Sequence, residues 1–79
     1  MDRQLLRLGF NNENVGEPVV YQIGVQFGLT TNILRANIGR DGGWAVLELI
    51  GDRDDVGRAV EWCRGRGVSV DVVGEEIVG

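Results

Sequence analysis

Residues 31–51 read TNILRANIGRDGGWAVLELIG, two largely apolar segments on either side of a glycine-rich centre. The Asp-Gly pair in that centre is a strong short-range signal for a hairpin between antiparallel strands. Residues 31–38 and 44–51 carry the aliphatic and aromatic residues that strands favour. The stretch therefore predicts two strands joined by a tight turn, and the other elements can be placed around them.

A strand and a helix are predicted before this hairpin. Residues 4–10, QLLRLGF, alternate in the manner of a strand. Pro18 suits the first turn of a helix, and Glu17 before it is favourably placed at the positive end of the helix dipole. Apolar residues then recur at helical spacing as far as Gly28, a typical glycine at a helix C-terminus.

A second helix and a last strand are predicted after the hairpin. The acidic segment 52–55 suits a helix start, and an apolar stripe follows at Val56, Ala59, Val60 and Cys63. Residues 68–73 form a strand pattern, followed by a short acidic tail. The order β-α-β-β-α-β with right-handed crossovers predicts an α+β ferredoxin-like sandwich, a single domain over residues 1–79 with a four-stranded antiparallel sheet and both helices on one face.

Alternation along the strands predicts two sheet faces. The core side is assigned Leu6, Leu8, Phe10, Leu34, Ala36, Ile38, Ala45, Leu47 and Leu49. The open side is assigned Leu5, Arg7, Ile33, Arg35, Asn37, Trp44, Val46, Glu48 and Ile50. Since the open set is too apolar for a fully solvated surface, we expect a homodimer or another partner to cover it. The expected contacts are Leu5, Arg7, Ile33, Trp44 and Val46; the alternative is a monomer whose charged residues interrupt the patch.

The composition excludes several classes of function. The 79 residues include one cysteine and no histidine, which removes Cys/His metal sites, disulfides and histidine-based catalysis. We therefore expect no metal, no cofactor and no enzymatic activity. The net charge of −4 and the scattered cations argue against nucleic acid, and no apolar run is long enough for membrane insertion. A cytoplasmic location is the simplest expectation.

Three residues call for separate interpretation. Cys63 is expected to be a buried small hydrophobic residue, and Trp62 either flanks the core or touches a partner. Asn32 can open its strand with a local hydrogen bond from side chain to backbone, which asparagine forms readily. Its amide can instead contact the polar head of a ligand, because it offers both a donor and an acceptor. The residue pattern alone favours the local bond.

The string Asn32-Ile33-Leu34, between VQFGLTT and RANI, resembles the signature of the NIL domain family. The segments LLRLGF, VLELIGD and AVEWCRGRGVSVDVV follow in family order, so the resemblance covers nearly the whole chain. It implies a ferredoxin-like fold and a small regulatory domain that binds an amino acid, methionine, at a dimer interface. Such domains occur at the C-terminus of the ATPase subunits of methionine ABC importers, alone, or joined to ferredoxin modules.

The resemblance also implies site residues and partners. By position it makes Asn32, Ile33 and Leu34 ligand candidates, and Arg35 and Asn37 follow on the same strand. A thioether side chain would suit an apolar pocket with a few polar groups at one end. The alternative function is a protein-interaction module without a small ligand, whose partner is an ABC transporter, a ferredoxin or an enzyme of sulfur amino-acid metabolism.

Overall fold

The predicted elements are present in the predicted order. A computed structural model describes residues 2–77, with side chains described through residue 74. The elements are β1 (Asp2–Phe10), α1 (Val19–Phe27), β2 (Thr30–Gly39), β3 (Gly42–Gly51), α2 (Arg53–Gly65) and β4 (Ser69–Ile77). The strands form one antiparallel sheet in the order β2-β3-β1-β4. With both helices on one face, this is the ferredoxin-like α+β arrangement that the sequence predicts.

The core lies between the two helices and the central strands. Its buried members are Leu6, Leu8, Val19, Ile23, Leu29, Ala45, Leu47, Leu49, Val56, Ala59, Val60, Cys63, Val68 and Val70. The core assignments on β1 and β3 are thereby confirmed, except that Phe10 is only partly buried against this cluster. Each buried leucine contributes roughly 1.5–3 kcal/mol relative to an exposed one, so β1 and β3 anchor the domain.

Strand β2 departs from the prediction because it is an edge strand. Leu34, Ala36 and Ile38, assigned to the core from alternation, are exposed. A bulge between Ile33 and Arg35 leaves Leu34 out of the pairing with β3 and shifts the alternation by one residue. Ile33 lies opposite the core residue Leu47, so its side chain is on the helix side and its assignment to the open face is wrong.

The hairpin is confirmed, with its turn one residue earlier than the Asp-Gly signal suggests. Gly39 pairs with Gly42, which makes Arg40 and Asp41 the two central residues. Gly43 follows with φ of 154° and lies directly against β2. A Cβ at this position would lie 2.7 Å from the Cα of Ile38, so the close approach of the two strands requires glycine here.

The helix ends also follow their sequence signals. α1 ends at Gly28, whose φ of 65° is left-handed and whose N–H donates to the Gly24 carbonyl. α2 begins after Asp52, whose side chain accepts a hydrogen bond from the Asp54 N–H at 2.9 Å. The predicted stripe of α2 is buried. Within residues 2–77, no helix has the length and apolar character that a membrane crossing requires.

β4 is longer than predicted. The backbone continues in strand conformation to Ile77, and Ile77 pairs with Asp2. The residues expected to form an acidic tail therefore extend the sheet alongside β1, as far as the structure describes them. A register shift between Leu5 and Leu6 accommodates a bulge in this strand.

The loop between β1 and α1 contains a buried polar residue that no sequence signal singled out. Asn14 is 3% exposed. Its Oδ1 accepts a hydrogen bond from the Asn11 N–H at 2.9 Å, and its Nδ2 donates to the Arg66 carbonyl at 3.4 Å. These bonds satisfy an amide that burial would otherwise penalise and tie the loop to the end of α2.

Candidate functional site

The polar candidates on β2 share the open side of the sheet. Each one faces a residue of β3: Asn32 faces Glu48, Arg35 faces Val46, and Asn37 faces Trp44. Paired residues of antiparallel strands point to the same side, so these three exposed side chains form a row along the sheet edge. The bulge at Leu34 is what keeps Asn32 and Arg35 on one side although they are three positions apart.

Asn32 is engaged across the strands rather than with its own backbone. Its Nδ2 donates to Glu48 Oε1 at 3.1 Å, and Glu48 Oε2 lies 3.5 Å from Arg3 Nε. Within the described part of the chain, the local side-chain-to-backbone bond favoured by the residue pattern is not formed. The bond to Glu48 uses the amide nitrogen, which leaves the amide oxygen of Asn32 as an acceptor for a ligand.

The apolar residues at the same edge are strongly exposed. Ile33 is 55% exposed, and Leu34 and Ile38 are each 48% exposed. On α1, which packs beside β2, Tyr21 is 70% and Val25 is 64% exposed. We call these five residues the edge patch. They are five of the seven large apolar side chains that are exposed among the described residues.

Helix α1 is close enough to β2 for the patch to be shared between the two elements. A Cβ on Gly24 would lie 3.6 Å from Thr31 Cγ2, so the helix lies against the strand at this glycine. Tyr21 and Ile38 line one depression of about 140 Å³. An apolar surface built from a helix and an unpaired strand edge is typical of an association site.

Most of the residues predicted to contact a partner on the open face are less exposed than the edge patch. Leu5, Trp44 and Val46 are only partly exposed on that face. Arg7 covers part of it, with its guanidinium carbon 5.5 Å from the centre of the Trp44 ring. Ile33, the remaining member of that set, belongs to the edge patch. The role of this set in association stays a prediction, and the larger exposed apolar surface is the edge patch.

Two residues of α2 contact the core. Cys63 is 1% exposed, as predicted, and burial raises the pKa of its thiol to about 11. Trp62 packs edge-on against Phe27, with ring centres 6.3 Å apart, and lies 4.4 Å from the guanidinium carbon of Arg66. Trp62 therefore flanks the core. Across the described residues, no cluster of three metal-ligating side chains is formed.

The raised thiol pKa predicts a loss of stability at alkaline pH. The ordinary pKa of 9.0 applies to the unfolded chain, so between pH 9 and about 11 the unfolded state loses its thiol proton first. The contribution is complete below pH 9 and is lost as the pH rises through 11, by about 3 kcal/mol for two pKa units. Urea unfolding at pH 8 and pH 10 measures about half of this loss, roughly 1.4 kcal/mol, and Cys63→Ala should show a shallower fall. An equally steep fall in that variant would contradict the assignment.

The fold shows the structural class of this domain, and a match to a family model shows its family. The strand order and the two helices on one face make the chain a ferredoxin-like α+β domain. The NIL domain family model matches residues 4–72, and the chain belongs to that family.

The curated relatives are methionine import ATP-binding proteins. The chain is 32% identical over 77 residues to methionine import ATP-binding protein MetN 2 of Acinetobacter baylyi, covering 92% of this chain and 23% of that protein. It is 34% identical over 74 residues to methionine import ATP-binding protein MetN of Vibrio vulnificus, covering 89% of this chain and 22% of that protein. The chain therefore spans less than a quarter of the length of these relatives.

A solved structure shares the fold. The C-terminal domain of an ABC transporter ATP-binding protein from Enterococcus faecalis matches with a TM-score of 0.81. The match covers 90% of this chain and 83% of that one at 24% identity. At this level of identity the likeness shows the common architecture.

Proposed function

We propose that this chain is a cytoplasmic regulatory domain, without catalytic activity, that binds methionine at an interface between two copies of itself. The observation that carries the proposal is the free edge of β2, which bears both the edge patch and the row of Asn32, Arg35 and Asn37. The relatives support the choice of ligand and of setting, because they are named as methionine import ATP-binding proteins.

The β2 edge suits pairing with a second copy. β2 is ten residues long and, within residues 2–77, borders β3 alone, so its outer N–H and C=O groups are open along about 33 Å of strand. Proteins usually protect such edges with proline, charged residues such as lysine, β-bulges or covering segments; β2 contains no proline or lysine, and its one charged residue, Arg35, lies beside the bulge at Leu34. Two β2 strands related by a two-fold axis would form one continuous sheet and bury both edge patches.

The residues at this edge match the two ends of methionine. The free amide oxygen of Asn32 can accept a hydrogen bond from the ammonium group, and the Arg35 guanidinium can bind the carboxylate. Asn37 extends the same row. Leu34, at the bulge between Asn32 and Arg35, supplies an apolar contact of the kind that a flexible, polarisable thioether favours. Ile33 points to the helix side of the same edge, where it would contact the second copy.

Calorimetric titration with methionine tests this proposal. We expect a saturable signal from the wild-type protein and at least a tenfold weaker affinity for Asn32→Ala, because the variant loses the amide that faces the ligand. Asn12→Ala is the matched control, since Asn12 is an exposed asparagine in the loop before α1. Wild-type protein that gives no signal at millimolar methionine would refute the proposal, as would equal losses in the two variants.

A second candidate function is a protein-interaction module for a transporter ATPase or a ferredoxin. A depression of about 940 Å³ across the two helices favours it, with Phe27, Gly57 and Trp62 in its lining. Gly57 lies inside α2, and a Cβ there would meet no atom within 4 Å, so packing inside the domain does not require this glycine. A stable dimer that binds no amino acid would favour this second function.

A further inference from the structure

The open face of the sheet contains a notch at Gly9. In the register of the sheet, Gly9 lies between Trp44 on β3 and Ser69 on β4. A Cβ on Gly9 would collide with Ser69 Oγ, so the serine hydroxyl lies over the glycine backbone. The result is a depression of about 300 Å³ whose lining also includes Arg7, Gly43 and Asp71. This volume is at the lower end of the range for small-molecule sites.

Two opposite charges border the notch without neutralising each other. Arg7 and Asp71 are direct cross-strand neighbours on the open side, a position in which a cation and an anion usually pair. Arg7 lies over the Trp44 ring instead, and no ion pair joins it to Asp71 in the described part of the chain. Both side chains are exposed, so a ligand in the notch can reach a free carboxylate on one wall and a guanidinium on another.

We propose that the Gly9 notch binds a free α-amino acid through its zwitterionic end, with the ammonium group on Asp71 and the carboxylate on Arg7. The Ser69 hydroxyl can donate to the carboxylate or accept from the ammonium group. The Trp44 ring forms the wall toward β3, where an apolar part of the ligand can pack. A ligand with a single charge would satisfy only one of the two charged walls, so the arrangement selects for a zwitterion.

This site is independent of the proposed function. The notch lies within one copy of the chain, and Trp44 and strand β3 separate it from the β2 edge. Binding in the notch therefore needs no second copy, whereas the site at the β2 edge is completed by dimerisation. A monomeric variant should therefore retain binding in the notch and lose binding at the β2 edge.

Titration of ¹⁵N-labelled protein followed by NMR tests the inference. The probes are methionine, its methyl ester and N-acetylmethionine, since the ester removes the carboxylate charge and the acetyl group removes the ammonium charge. We expect methionine to shift the amide signals of Gly9 and Ser69. The indole signal of Trp44 does not distinguish the two sites, because Trp44 also faces Asn37 on β2. Each blocked probe should bind at least tenfold more weakly at these signals.

Charge-removing variants assign the effect to the notch. Asp71→Asn should weaken binding at least tenfold, because the ammonium group loses its carboxylate. Asp41→Asn is the matched control, with the same change at an exposed aspartate in the hairpin turn. The shifts should persist in Ile33→Lys, a variant designed to block pairing through β2.

The titration results distinguish the notch from the site at the β2 edge. Methionine shifts confined to β2, and unchanged in Asp71→Asn, would overturn the notch while leaving the proposed function intact. Notch shifts that persist in a protein without methionine binding at β2 would support the notch alone. Equal binding of the three probes at Gly9 would also overturn the inference, since it would show that the two charges do not select the ligand.

Discussion

Ile33→Lys is expected to convert a dimer of this domain into a monomer, raising the dimer Kd at least tenfold. Ile33 is 55% exposed in the single chain and belongs to the edge patch that dimerisation would bury. The lysine would place an unpaired charge in that interface on both copies, and the two-fold symmetry would set the two charges against each other. Sedimentation velocity across a micromolar concentration series measures the change.

The opposite edge of the sheet supplies a matched control. Val73 on β4 is 57% exposed, so Val73→Lys makes a comparable change at a comparable exposure. This variant should remain dimeric. A wild-type protein that sediments as a monomer at high concentration would exclude the β2 interface, and equal dissociation by both variants would show that the effect is not specific to that edge.

Gly43→Ala is expected to destabilise the domain by about 2–4 kcal/mol and to displace β2 from the sheet. The added methyl group would lie 2.7 Å from the Ile38 Cα and 3.0 Å from the Asn37 carbonyl carbon. Both are backbone atoms, so the contact can be relieved only by moving the strand. Because β2 carries Asn32, Arg35 and the edge patch, methionine binding should be lost together with stability. Urea unfolding and calorimetric titration measure the two effects.

Gly57→Ala controls for the cost of removing a glycine. Apart from the neighbouring backbone of its own helix, no atom of the described residues lies within 4 Å of a Cβ at position 57, and the residue is inside α2. Alanine is the better helix former, so this variant should be more stable by roughly 0.5–1 kcal/mol. If Gly43→Ala were as stable as wild type, the close approach of the hairpin strands would not be a constraint on the fold.

The sequence predicts the architecture well because its strongest signals are local. The Asp-Gly turn, the glycine after α1 and the acidic start of α2 each specify an element boundary from a few neighbouring residues. Alternation also predicts the burial of Leu6, Leu8, Ala45, Leu47 and Leu49, since β1 and β3 are central strands that the helices cover.

The same alternation fails on β2 for two physical reasons. An edge strand is only partly covered by the helices, so apolar residues such as Leu34 and Ile38 remain exposed. The bulge at Leu34 adds one residue to the strand, so Ile33, before the bulge, points to the opposite face from the one that alternation through Arg35 and Asn37 gives. Local propensity contains no signal for either effect.

The sequence predicted a residue of one candidate site but gave no indication of the other. Family resemblance pointed to Asn32, and the structure adds that its amide is bonded across the strands to Glu48. The Gly9 notch had no sequence signal, because Gly9, Trp44 and Ser69 meet only through the pairing of three strands. Asn14 was missed for the same reason, since its partner Arg66 is 52 positions away.

The strand order has a consequence for how the chain acquires its structure as it is made. β1 pairs with β3 and β4, and β2 pairs with β3, so residues 2–39 contain no two strands that border each other. Until synthesis has passed residue 39, this part of the protein can form α1 but no native strand pair of the sheet. Strand pairing begins when β3 emerges, because β3 can then pair with β1 on one side and with β2 on the other. Because such long-range pairing must close large loops before it gains stability, folding of this small domain should be limited by the arrival and docking of β3.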